Sequence, residues 1–181
     1  MTPVERWFGD DFGRLHPLLQ DLHRQGGLLE GPVDVTLGRG LAGHLGRRLA
    51  RRMGVPLESN HPPFTVHIAH RDGRLYWSRI FAGGPEVLSI FAPVGTRADG
   101  YWIEAKNWVQ LHLGVDLQDG GWYWRCLRMY VCGLRVPLWV APRLTAFKRI
   151  EGDAYRFGVR LALPLLGTLL EYSGLLRIVP G

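Results

Sequence analysis

Arg143-Leu144-Thr145-Ala146-Phe147-Lys148-Arg149-Ile150-Glu151-Gly152-Asp153-Ala154-Tyr155-Arg156-Phe157-Gly158-Val159-Arg160-Leu161-Ala162-Leu163 is the stretch whose reading decides the fold. Its second half alternates. Tyr155, Phe157, Val159, Leu161 and Leu163 share one side of an extended chain, and Arg156 and Arg160 take the other. Glu151-Gly152-Asp153 supplies turn chemistry between the halves, so Arg143–Ile150 and Tyr155–Leu163 are expected to pair as an antiparallel hairpin.

The same period of two extends outward through most of the chain. Phe64–His70 and Leu75–Phe81 flank Arg71-Asp72-Gly73, and Asn107–Leu117 and Trp122–Val131 flank Gln118-Asp119-Gly120-Gly121. Val87–Phe91, Tyr101–Lys106 and Thr168–Val179 complete a sheet of about eight or more strands. Upstream the period lengthens. Residues 4–24 carry Phe8, Phe12, Leu15, Leu19 and Leu22 at helical spacing, with Thr2 as cap and Pro17 placed to kink or split the helix. Val33–Leu37 reads as a short strand, and about 41–53 as a second helix. On its wheel Leu41, Ala42, Leu45, Leu49 and Met53 lie opposite His44, Arg47, Arg48 and Arg51, with Arg52 at the border.

A chain of 181 residues fits one domain: a helical cover with one short strand over 1–60, then an antiparallel sheet over 61–181. Eight strands at about 4.8 Å spacing span nearly 40 Å, which two helices about 10 Å thick cannot cover. The uncovered apolar faces must therefore curl on themselves, hold a ligand or meet a partner. The expectation is an α+β fold with a large curved sheet, a cupped or incomplete barrel of lipocalin-like form. Gly114, Gly158 and Gly174, inside strands, mark where it bends.

An apolar fraction of 46% argues against disorder. The formal charge of +6 raises nucleic acid and membranes as partners, yet only Lys106 and Lys148 among the 22 basic residues are lysine. That skew reads as an arginine bias of composition, and no nucleic-acid partner is assigned; contact with a membrane surface through Arg47, Arg48, Arg51 and Arg52 is kept as an expectation. Cys126 and Cys132 lie about 20 Å apart if extended, beyond disulfide reach, which points to free thiols and a cytoplasmic setting. The N-terminus reads as free of a signal peptide.

Gly38, Gly40 and Gly43 match G-x-G-x-x-G, but the parallel strand–helix–strand setting is missing and the turn reads as a helix entry. The seven histidines show no metal-ligand spacing, and no Ser-His-Asp or Cys-His set is legible, so neither cofactor nor catalytic residue is assigned. Arg125 and Arg128 flank Cys126 and would lower its pKa, although a packed strand thiol is the simpler reading. Arg79 stands between Trp77 and Phe81 on one strand face, and Glu104 shares a face with Trp102. An ion pair between Arg79 and Glu104 inside the cup is expected, anchoring a small lipophilic molecule against walls supplied by Trp77, Phe81, Trp102, Trp122, Trp124, Tyr155, Phe157 and Tyr172. The alternatives are an enzyme using Glu104 beside Arg79 on a lipophilic substrate, and a module that docks a protein or membrane.

An ordered set of segments resembles the uncharacterised domain-of-unknown-function family 4166. It runs Leu18–His23, Gly31–Gly40, Trp77–Phe81, Asp119-Gly120-Gly121, Val136–Trp139, Phe157, Pro164–Gly167 and Tyr172-Ser173-Gly174. The sequence departs from the family pattern where Trp122 follows Gly121 and where a glycine is missing after Glu104. Domains of this family also occur fused to dinucleotide-binding, dehydrogenase-like domains. The resemblance therefore implies an accessory or binding role beside an oxidoreductase partner, and no catalytic residues.

Overall fold

The computed structural model describes residues 1–59 and 61–179; residues 60, 180 and 181, at the bounds expected from sequence, lie outside them. Eleven strands form one antiparallel sheet: β1 (Gly27–Leu37), β2 (Pro63–Arg71), β3 (Arg74–Phe81), β4 (Val87–Val94), β5 (Tyr101–Lys106), β6 (Val109–Gln118), β7 (Gly121–Val131), β8 (Leu134–Val136), β9 (Arg143–Glu151), β10 (Ala154–Leu163) and β11 (Gly167–Val179). The decisive hairpin forms as read, with Tyr155 opposite Ile150 and Phe157 opposite Lys148.

The sheet order runs β6-β5-β4-β3-β2-β1-β11-β10-β9-β7, and β6 also pairs with β7. Ten strands thus close into a barrel, with β8 hanging on the free part of β7. The expected incomplete cup is corrected here. Closure depends on β7, whose first half bonds β6 on one edge and β9 on the other through Trp122–Arg125. A closed ring leaves no long exposed edge.

The expected first helix is split, as Pro17 implied. Thr2 caps α1 (Pro3–Phe8) in a reciprocal box, accepting from the Glu5 amide while its own amide donates to the Glu5 carboxylate. A 3-10 turn over Gly9–Arg14 leads to α2 (Pro17–Gln25). Together they plug one end of the barrel. The Arg97 amide donates to the Trp7 carbonyl and the His16 amide to the Gly120 carbonyl, tying the plug to the β4–β5 and β6–β7 connections. Trp7 packs on Trp102 and Phe8 on Trp122, at ring separations of 5.5 and 4.8 Å.

At the other end α3 (Gly40–Arg52) lies over β11 and the end of β1. It buries Ala42, Gly43, Gly46 and Ala50, and Leu49 and Met53 are partly buried. Leu41 and Leu45, expected on the inward side, face solvent instead. Close approach explains the correction: a Cβ on Gly46 would stand 2.0 Å from the Leu169 carbonyl oxygen, so the small-residue stripe lets the helix backbone rest directly on β11. Gly38 serves the same contact, donating its amide to that carbonyl. Gly38 and Gly43 of the G-x-G-x-x-G match are packing residues here, and exposed Gly40, at φ 54°, makes the turn into the helix.

Candidate functional site

Strand register places all ten sequence-named residues on the inner wall. Trp77, Arg79 and Phe81 alternate on β3, across from Ile68, Val66 and Phe64 of β2. Trp102 and Glu104 face Leu113 and Leu111; Trp122 and Trp124 face Lys148 and Ala146; Tyr155, Phe157 and Tyr172 continue the ring. The outer wall carries Arg149, Arg156, Arg160, Thr65, Glu30 and Arg177. The same outer wall also carries Ile80, Leu88, Ile90, Ile103 and Leu175. Among the described residues no helix is long and apolar enough to cross a membrane.

Burial divides the lumen along its axis. Beside the plug, Leu29, Leu75, Trp102, Trp122, Tyr155 and Leu176 are sealed. Toward the far end Phe64, Phe81, Val87 and Leu170 are also buried, but the inward side chains Val35, Arg79, Glu104, Leu111, Leu144 and Val159 are only partly so, and solvent reaches that part of the inner wall. That end is the mouth. Trp102 and Trp122 belong to the solid floor, and Trp124 stacks on Phe91 at 5.2 Å above them. Two clefts lie elsewhere, one of about 660 Å³ beside Glu30, His61 and Arg177, the other along Thr145, Arg156 and Glu171; none of the ten residues lines either.

Arg79 is the polar centre of the mouth, but not as expected. Among the described residues no ion pair joins it to Glu104. Its guanidinium donates to the Tyr172 hydroxyl at 2.9 Å and to Ser89 Oγ at 2.5 Å, while the buried Nε–H has no partner. Both partners are neutral, so the positive charge is left uncompensated by the hydroxyls. Burial lowers the pKa of Lys106, with Arg79 adding to the effect and Glu104 opposing it, which places the three charges in one neighbourhood.

Sequence reasoning missed the second polar centre. Lys148, 0% exposed, rises from β9 to the barrel axis, where its Nζ lies 2.7 Å from His23 Nε2 of α2. The amine also sits 3.6 Å from the Trp122 ring centroid and 4.4 Å from that of Trp77. Burial without a carboxylate holds Lys148 well below the ordinary lysine range, and burial also depresses His23, with Lys148 and then His70 adding to it. The two rings favour a cation, while burial without a carboxylate works against it. The amine is sealed from solvent. The available signal was parity: Lys148 follows Leu144 and Ala146 in the inward register, in a chain with just one other lysine. Burial also raises the Tyr155 hydroxyl and the Cys126 thiol, so the arginines flanking Cys126 do not activate it.

These features define a class: a closed antiparallel barrel, plugged at one end by N-terminal helices and partly solvent-accessible at the other beside α3, with an aromatic lumen and two polar centres. The chain matches the family described as Domain of unknown function (DUF4166) over residues 15–176, and it belongs to that family. No curated protein and no solved structure matches it.

Proposed function

We propose that the barrel binds a small lipophilic molecule, which enters at the mouth and sets a polar or acidic head against Arg79. One observation supports this above others: the single guanidinium on the solvent-reachable part of an apolar lumen is met by neutral hydroxyls and keeps a buried donor unpaired. A carboxylate or similar acceptor would complete its hydrogen bonding, while the ligand's apolar body would lie along Val35, Leu144 and Val159. The family resemblance implies that such a molecule is held for an oxidoreductase partner.

The test is native mass spectrometry of the purified chain, followed by titration with dodecanoate, a lipophilic carboxylate, read by tryptophan fluorescence. A retained small-molecule mass, or saturable quenching that Val159→Trp abolishes and Arg79→Met weakens, is the expected result. Absence of both a bound mass and saturable quenching would overturn the reading.

A further inference from the structure

The mouth is rimmed by large apolar side chains that nothing in the fold covers. Leu41 (74% exposed) projects from α3, Trp108 (57%) from the β5–β6 turn, Leu134 (75%) from β8 and Trp139 (75%) from the β8–β9 loop. Leu165, at the tip of the β10–β11 turn, is fully exposed. Strands alternate in direction, so all five elements rise at the same end. The Gly38 amide, bonded to the Leu169 carbonyl, sets the start of α3 beside the β10–β11 turn and brings Leu41 and Leu165 to one rim.

Charge at this end is mostly of one sign. The mouth loops and turns carry only Glu58 and Glu86 among acidic residues, and the Glu86 carboxylate accepts from Ser78. Arg47, Arg48, Arg51 and Arg52 of α3, with Arg135 and Arg143, are exposed there, and among the described residues none of the six joins an ion pair. The plugged end mixes Asp72, Asp99, Asp119 and Asp153 with Arg71, Arg74 and Arg97, and the plug itself adds Arg6, Arg14 and Arg24. Along α3, Leu41, Leu45, Arg48 and Arg52 form one exposed stripe at helical spacing.

We infer that this rim docks the barrel, mouth down, on an anionic lipid bilayer. Tryptophan and leucine at loop tips partition into the headgroup and acyl boundary, and the surrounding arginines are drawn to anionic headgroups. The plugged end carries both signs, so the orientation is set by the exposed rings and unpaired arginines at the mouth. A protein partner would match the apolar residues equally, but their dispersal over one helix, one short strand and three strand connections with an arginine surround fits a planar anionic surface better. The inference stands whether or not the lumen holds a ligand. If it does, the mouth opens on the phase in which lipophilic molecules reside.

The experiment is co-sedimentation of the full chain with vesicles of phosphatidylcholine alone and of phosphatidylcholine mixed with phosphatidylserine. Two variants accompany it, Trp139→Ser/Leu165→Ser and Arg48→Glu/Arg52→Glu, all at exposed positions where folding is unaffected and circular dichroism verifies it. Binding to the anionic vesicles should exceed that to neutral ones by about tenfold or more, and each variant should lose about tenfold or more. Absence of binding to anionic vesicles overturns the inference. So does binding that either variant leaves intact, or a self-association through this rim, seen by ultracentrifugation, that the Trp139/Leu165 variant abolishes while vesicle binding persists.

Discussion

Lys148 Nζ and His23 Nε2 meet at 2.7 Å on the barrel axis, joining the inner wall to the helical plug without any carboxylate nearby. Each group is the other's only hydrogen-bond partner among the described residues, and His23 Nδ1 has none.

Removing one member of this pair leaves the other buried and unpaired, at about 1–3 kcal/mol. Removing both for apolar groups spares that penalty. Lys148→Met and His23→Leu should therefore each lower stability, while the double variant should be less destabilised than the sum by about 1 kcal/mol or more. Urea midpoints of the four proteins close the cycle. Additive costs would show that the contact carries no coupling.

Both pKa values are lowered in the folded state, which sets the sign of the pH dependence. Below about 6.5 the unfolded chain protonates His23 while the folded chain does not, so the unfolded state binds more protons. Stability therefore falls as pH falls through that window, and levels off below the lowered folded value. Lys148 adds the same slope from about 10.4 down to its own lowered value. The urea midpoint should drop between about pH 8 and about pH 5, and the drop should shrink in the His23→Leu/Lys148→Met variant. An unchanged wild-type midpoint would show that both groups are charged in the fold.

How much of this was legible in the sequence depended on whether the signal was local. Alternation is local, so strands and the residues sharing a face were readable, but which face turns inward was not; the register puts Trp77 through Tyr172 on the inner one. Closure was not, because it rests on β7 bonding β6 and β9 at once, a pairing that no turn signal encodes. The first half of β1 was hidden by Gly31-Pro32, which break the alternation although they sit within the strand. The wheel of α3 misled because leucine burial lost to backbone contact through glycine and alanine. Arg79 does lie on the inner wall, but its hydrogen-bond partners are two hydroxyls and not the charge that the sequence suggested.

That backbone contact has a direct consequence. Gly46→Ala places a methyl into the Leu169 carbonyl, which is backbone and cannot swing aside. The helix must lift, at about 1–3 kcal/mol, typical of overpacking. Amide hydrogen exchange should rise across α3 and the first residues of β11 while the plug stays protected. If exchange in α3 were unaltered, the seat on β11 would not depend on Gly46.

Glu104 and Arg79 supply the remaining discrimination. Were they a buried ion pair, Glu104→Gln would strand a guanidinium and cost about 3–5 kcal/mol. With Arg79 bonded to Tyr172 and Ser89 instead, Glu104→Gln should cost less than about 1 kcal/mol, as for a partly exposed charge without a partner. Tyr172→Phe removes an acceptor from the charged donor and should cost about 1–2 kcal/mol, discounted because the guanidinium is only half-buried. Thermal melts of the two variants then rank the partners of Arg79. A larger loss for Glu104→Gln than for Tyr172→Phe would reverse the assignment and restore the ion pair as the anchor of the lumen.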